Sequence, residues 1–177
     1  YQNIPFQYSL HVQEVPGGDV KHFEFLAADS EDPRPELLES LRRAIGSSGQ
    51  IIAYNKSFEE RVLNELGDAF PAYASWIADV TSRLVDLIVP FRGFFYYHPS
   101  QMGSASLKKV LPAVTGLSYE GLPIGKGDDA SLAYMALMLG NMPEEEASRT
   151  RQELLEYCKL DTEGMVRIVE RLEAIAR

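Results

Sequence analysis

Apolar and polar residues alternate from Ile4 to Val12, with Phe6, Tyr8, Leu10 and Val12 falling on one side, the period of a strand buried on one face. Pro16, Gly17, Gly18 and Asp19 form a turn, and residues 20–26 read as the returning strand, so the chain is predicted to open with a β-hairpin. Leu37, Leu38, Leu41, Ala44 and Ile45 then recur at helical spacing. Residues 46–49 stop that helix. The short apolar run at 50–54 has the character of a strand covered on both faces. A second helix is expected at once, with Ser57 and Glu60 at capping-box spacing and Phe58, Val62, Leu63 and Leu66 as its apolar stripe. Helical character resumes at 72–77, and residues 84–89 read as a further buried strand ended by Pro90. The aromatic run at 94–99 matches neither period.

From Ser106 onward the pattern is helical: Leu107, Val110 and Leu111, then residues 130–139, then one long helix from about Glu144. Two hairpin strands followed by helix, strand, helix, strand and a helical C-terminal half predict an α/β domain with a mixed sheet flanked by helices. There is no internal repeat.

Composition narrows the function classes. The 177 residues are 45% apolar and 24% charged, as in ordinary globular domains, which excludes collagen-like, disordered and disulfide-scaffold chains. With 17 basic and 26 acidic residues the formal charge is −9, which argues against holding nucleic acid by a broad basic face. A metal-dependent nuclease stays open, because it needs clustered carboxylates to hold its cations. The single cysteine, Cys158, fits a reducing cytoplasm, and no apolar run approaches the ~20 residues of a membrane helix. The chain opens at Tyr1, which we read as a piece of a longer protein.

The candidate chemistry lies in two helices. Leu154, Cys158, Met165, Ile168, Leu172 and Ile175 share one face of the last helix, and Asp161 fills the position left open in that stripe. A carboxylate there costs several kcal/mol to desolvate unless a proton, a protein group or a cation compensates it. Tyr157 stands one turn earlier on nearly the same face. Glu59 repeats the anomaly in the second helix, with Val62, Leu63 and Leu66 at i+3, i+4 and i+7, directly after a strand end where α/β sheets carry ligands. Asn55 marks that junction. Helix-dipole preference accounts equally well for Glu59, and a neighbouring loop could satisfy Asp161.

The stretch Gln50 to Glu59 resembles the second motif of the DEDD exonuclease superfamily, Asn-x-x-Phe-Asp, and Leu154 to Asp161 resembles the third motif of its tyrosine variant, Tyr-x-x-x-Asp. The whole span is also similar to an uncharacterised bacterial domain family, through IPFQYSLH, DPR, YNKSFE, RLVDL, YYHP, GSASLKKVLP and LLEYCKLDT in that order. The superfamily resemblance implies a ribonuclease H-like fold lacking its first strand, and removal of nucleotides from 3′ ends of single-stranded DNA or RNA with two Mg²⁺ or Mn²⁺ ions. It implies that Asp161 and Glu59 are metal ligands, that Tyr157 orients the nucleophile and that Asn55 contacts substrate. The first motif, Asp-x-Glu, is expected before residue 4, so this chain alone is expected to lack half the ligands and to be inactive. Glu59 replaces the usual Asp. Other domains of the same polypeptide are the expected partners. The alternative is a non-catalytic ribonuclease H-like module that binds nucleic acid or protein.

Other residues carry weaker expectations. Lys108, beside Lys109 and the hydroxyls of Ser104 and Ser106 at a helix start, could hold a phosphate or simply be solvated. Asp86 could support the site or end its strand. Tyr96, Tyr97 and His98 could stack bases, although core packing explains most aromatics in this chain. Residues 125–129 lack P-loop spacing. Cys158 reads as a small buried hydrophobe, not a nucleophile.

Overall fold

The computed structural model describes residues 4–125, 127–140 and 142–176. The architecture is α/β with a helical C-terminal half. Strands β1 (Gln7–Gln13) and β2 (Val20–Leu26) form the expected antiparallel hairpin, with Tyr8 opposite Phe25 and His11 opposite His22. Strand β3 (Ile51–Ala53) pairs in parallel with β4 (Leu84–Asp86). One mixed sheet was expected; among the described residues the strands instead form two separate pairs.

Both pairs lie between the same two helical layers. On one side α1 (Arg34–Ala44), α2 (Ser57–Ala69) and α3 (Ala74–Ser82) bury Leu37, Leu38, Leu63, Leu66, Ile77 and Val80 against Tyr8 and Phe25 of the hairpin and Ala53 and Leu84 of the parallel pair. On the other side α5 (Leu107–Thr115) and α7 (Glu144–Ala176) pack Val110, Leu111 and Ile168 against Ile52 and Tyr54. There α7 also crosses the hairpin's polar face: Gln7 Nε2 donates to the Leu154 carbonyl, and Ser9 and His11 both reach the Thr162 hydroxyl at 2.7 and 2.8 Å. Helix α6 (Gly127–Met138) adds a third cluster, where Phe6 stacks on Tyr134 at 4.0 Å.

The registers fix which backbone groups stay outside the ladders. Ala27 N–H donates to the Phe6 carbonyl, so the pairs at 8/25, 10/23 and 12/21 exchange the hydrogen bonds, and Gln7, Ser9, His11 and Gln13 aim their main-chain groups away from β2. In β3, Ile51 and Ala53 face β4, since Ile51 N–H donates to Arg83 and Leu87 N–H to Ala53, so Ile52 points the other way.

Several local expectations are corrected. Strand β4 ends at Asp86, three residues early, because the Asp86 carboxylate accepts N–H bonds from Asn55 (2.8 Å) and Ile88 (3.1 Å), and a short helix α4 (Val89–Arg92) follows. The Ser57–Glu60 capping box is not formed, and α2 starts after Asn55, whose φ of 65° turns the chain out of β3. Phe58 leaves the stripe of α2 and is half exposed, with the Arg61 guanidinium over its ring. Ile175 is likewise exposed, since α7 outruns the core. Among the described residues no helix is long and apolar enough to cross a membrane.

Candidate functional site

Helix α7 turns Tyr157 and Asp161 inward together, because both belong to the face that packs on α5 and α6. The Tyr119 hydroxyl, from the loop after α5, donates to Asp161 Oδ1, and the Tyr119 and Tyr157 rings lie 6.2 Å apart. Lys108 sits over both rings, 5.8 Å from one centroid and 6.0 Å from the other, while its ammonium donates to the Gly125 carbonyl. Burial pushes the Asp161 carboxyl above the ordinary carboxylate range. Hydrogen bonding from Tyr119, the Lys108 charge and the Tyr157 phenol pull it part of the way back. Both phenols are pushed up, first by burial and then by Asp161, so they act as proton donors and not as phenolates. The Cys158 thiol, which stands beside Asp161 on α7, is pushed up to about 12 by burial, in keeping with an inert hydrophobe.

The second group lies at the carboxyl ends of β3 and β4. Glu59 in the first turn of α2 has its Oε2 buried without a hydrogen-bond partner. Its carboxyl is pushed up by burial and further by Asp86. Asn55 offers its side-chain oxygen to the Ser57 hydroxyl and the Arg92 guanidinium, both at 3.4 Å. An orphaned carboxylate oxygen of this kind calls for a proton or a cation.

Tyr54 joins the two groups. Its hydroxyl donates to the Ala105 carbonyl at 2.6 Å, its ionisation is opposed by burial and then by Asp86, and it acts in turn on Tyr119. Electrostatic influence thus passes from Asp161 through Tyr119, Tyr54 and Asp86 to Glu59, a belt in which Tyr119 and Asp161 are the hydrogen-bonded pair. Asp161 and Glu59 stand at its two ends; the acid acting on Glu59 is Asp86, and Asp161 is governed by Tyr119, Lys108 and Tyr157.

Mg²⁺ and Mn²⁺ favour several oxygen ligands at once. Among the described residues no three His, Cys, Asp or Glu side chains gather around one point, and Asp161 Oδ1 is already engaged by Tyr119. The residues present therefore do not form a complete metal cage. Glu59, with its free oxygen and Asp86 nearby, is the end of the belt more receptive to a cation. Of the five residues singled out from sequence, Tyr157, Asp161 and Lys108 are brought together, and Asn55 and Glu59 form the other group. Lys108 holds aromatic rings and a carbonyl, not an open phosphate cradle. Tyr54 and Tyr119 were missed as site residues: Tyr54 reads as the end of an apolar strand run, and Tyr119 is 42 residues from its carboxylate.

The model of the family described as Domain of unknown function (DUF2779) matches residues 1–106. The chain is 30% identical over 129 residues to the uncharacterized protein MG366 homolog of Mycoplasma pneumoniae, covering 66% of this chain and 19% of that protein. It is 26% identical over 146 residues to the uncharacterized protein MG366 of Mycoplasma genitalium, covering 76% of this chain and 22% of that protein. The chain thus spans about a fifth of the length of these curated relatives. No solved structure matches it.

Proposed function

The chain belongs to the family of Domain of unknown function DUF2779, and on that premise we propose that it supplies half of a metal-dependent 3′-to-5′ exonuclease site of ribonuclease H-like type to a longer protein. The observation that carries the reading is the buried Oε2 of Glu59, left without a hydrogen-bond partner after β3, at one end of a belt that leads to Tyr157 and Asp161 on α7. In this reading Asp161 and Glu59 supply two of the carboxylates, and the Tyr157 phenol orients the attacking water. The remaining acids arrive on an Asp-x-Glu strand. Such a strand fits the divided sheet at β3, whose Ile52 main-chain groups point away from β4 and are open to a further strand. Mg²⁺ or Mn²⁺ belongs to that assembled site, and the chain by itself is inactive.

The test uses the full-length protein on single strands labelled at the 5′ end, with Mn²⁺ present. Stepwise shortening from the 3′ end that disappears in Asp161→Ala and Glu59→Ala supports the proposal. Intact strands with folded wild-type protein end it. A second reading, a non-catalytic module that binds nucleic acid or protein, is favoured by the Tyr119 and Lys108 compensation of Asp161. It expects Asp161→Ala to leave binding unchanged.

A further inference from the structure

The segment between α4 and α5 exposes its aromatic side chains. Phe95 is 84% exposed, Phe94 64% and Tyr97 46%, whereas Tyr96 between them turns inward onto Phe91. The backbone is built for this. Phe94 has φ of 54°, a conformation costly for a bulky residue, so that Phe94 and Phe95 both emerge into solvent. The Phe95 ring lies across the bare backbone of Gly93, where a Cβ would meet its Cε2 at 2.7 Å. Phe94 and Tyr97 stand with centroids 5.8 Å apart. Arg92 at the base of the segment reaches Asn55 at 3.4 Å, which places the aromatic surface beside the Glu59 end of the belt.

Charge is distributed unevenly along the sequence that forms this surface. From Leu87 to Tyr119 the sequence has no acidic residue and three cations, Arg92, Lys108 and Lys109, although the chain as a whole carries 26 acids and a charge of −9. All 26 acids therefore lie outside that stretch. Flat aromatic faces above Arg92, in the longest stretch of the sequence free of carboxylates, complement a ligand with stackable rings and a polyanionic backbone. Apolar contact alone would need no such exclusion of acids.

We propose that the surface formed by Phe94, Phe95 and Tyr97, with Arg92 at its base, docks single-stranded nucleic acid by stacking its bases. The inference rests on the nucleic-acid reading of the site and adds where the strand lies. Arg92 takes a phosphate, and the stacked bases lead the strand toward Asn55 and Glu59.

The experiment measures fluorescence anisotropy of labelled oligothymidylate and oligouridylate, about 16 nucleotides long, the upper end of single-strand site sizes, with the full-length protein. Loss of one stacked base corresponds to roughly 5- to 150-fold weaker binding. Phe95→Ala and Phe94→Ala are expected to weaken binding by that factor, with Phe95→Tyr restoring it and thermal stability unchanged. Gly93→Ala keeps both rings but displaces Phe95, and is expected to weaken binding in the same way. Wild-type binding that none of these substitutions alters overturns the docking surface and leaves the nucleic-acid reading standing. If the wild-type protein binds neither oligonucleotide, both are overturned, and the aromatic surface is then one for a protein partner.

Discussion

Replacing Tyr119 by Phe removes one hydroxyl and keeps the shape of the ring. That hydroxyl donates to Asp161 Oδ1, and Asp161 sits where burial already opposes its charge. A hydrogen bond to a charged partner contributes about 1.5–3 kcal/mol net, and in a chain of this size each kcal/mol moves the melting temperature by about 2–4 °C. Tyr119→Phe should therefore lower the midpoint by roughly 3–12 °C at neutral pH. The sign of its pH dependence follows from linkage. Asp161 has a folded-state pKa above its ordinary value, so the native protein holds the extra proton in that window and stability falls as pH rises through it. Removing the Tyr119 donor pushes the carboxyl up further. The penalty should then be largest above the window and shrink on acidification toward the ordinary carboxylate value. Thermal and urea unfolding of both proteins between pH 4.5 and 8, with the range chosen as roughly that of maximal protein stability, checks this. A loss under about 0.5 kcal/mol, or the same loss at every pH, would refute the view that Tyr119 compensates a buried charge.

Gly164→Ala should destabilise the packing of α5 on α7, because the new Cβ would lie 2.8 Å from Leu111 Cδ1. Overpacking costs about 1–3 kcal/mol and the gain in helix propensity returns about 1, so urea unfolding should show a net loss of up to about 2 kcal/mol; a stabilised variant would mean that Leu111 moves aside freely. At the hairpin, burial and then the stacked His22, 4.4 Å away, hold the His11 pKa below its ordinary value. The native state then binds fewer protons than the unfolded chain, so stability should fall as pH drops through the ordinary histidine range. His11→Gln should flatten that slope in unfolding midpoints, and an unchanged slope would place its origin elsewhere.

The hairpin was legible because its alternation runs without a break and its turn is rich in Gly and Pro. The inward placement of Asp161 and Tyr157 was legible too, since a stripe on a long helix leaves little freedom of phase. What escaped the sequence was set by contacts between distant segments. The Asp86 carboxylate stops β4 by capturing two N–H groups, one of them 31 residues away. Whether strands join is decided by backbone pairing that no side-chain period records, so the division of the sheet was invisible. Phe58 looked like a core residue by spacing alone, yet the first turn of α2 projects past the core and its ring is covered by Arg61. The aromatic run at 94–99 had no readable period because left-handed Phe94 breaks any regular alternation.

The divided sheet also has a practical cost at the bench. The Ile52 main-chain donor and acceptor, turned away from β4, are a template for any extended polypeptide, including a segment of a neighbouring molecule. At high concentration an open edge of this kind favours pairing between molecules, edge to edge.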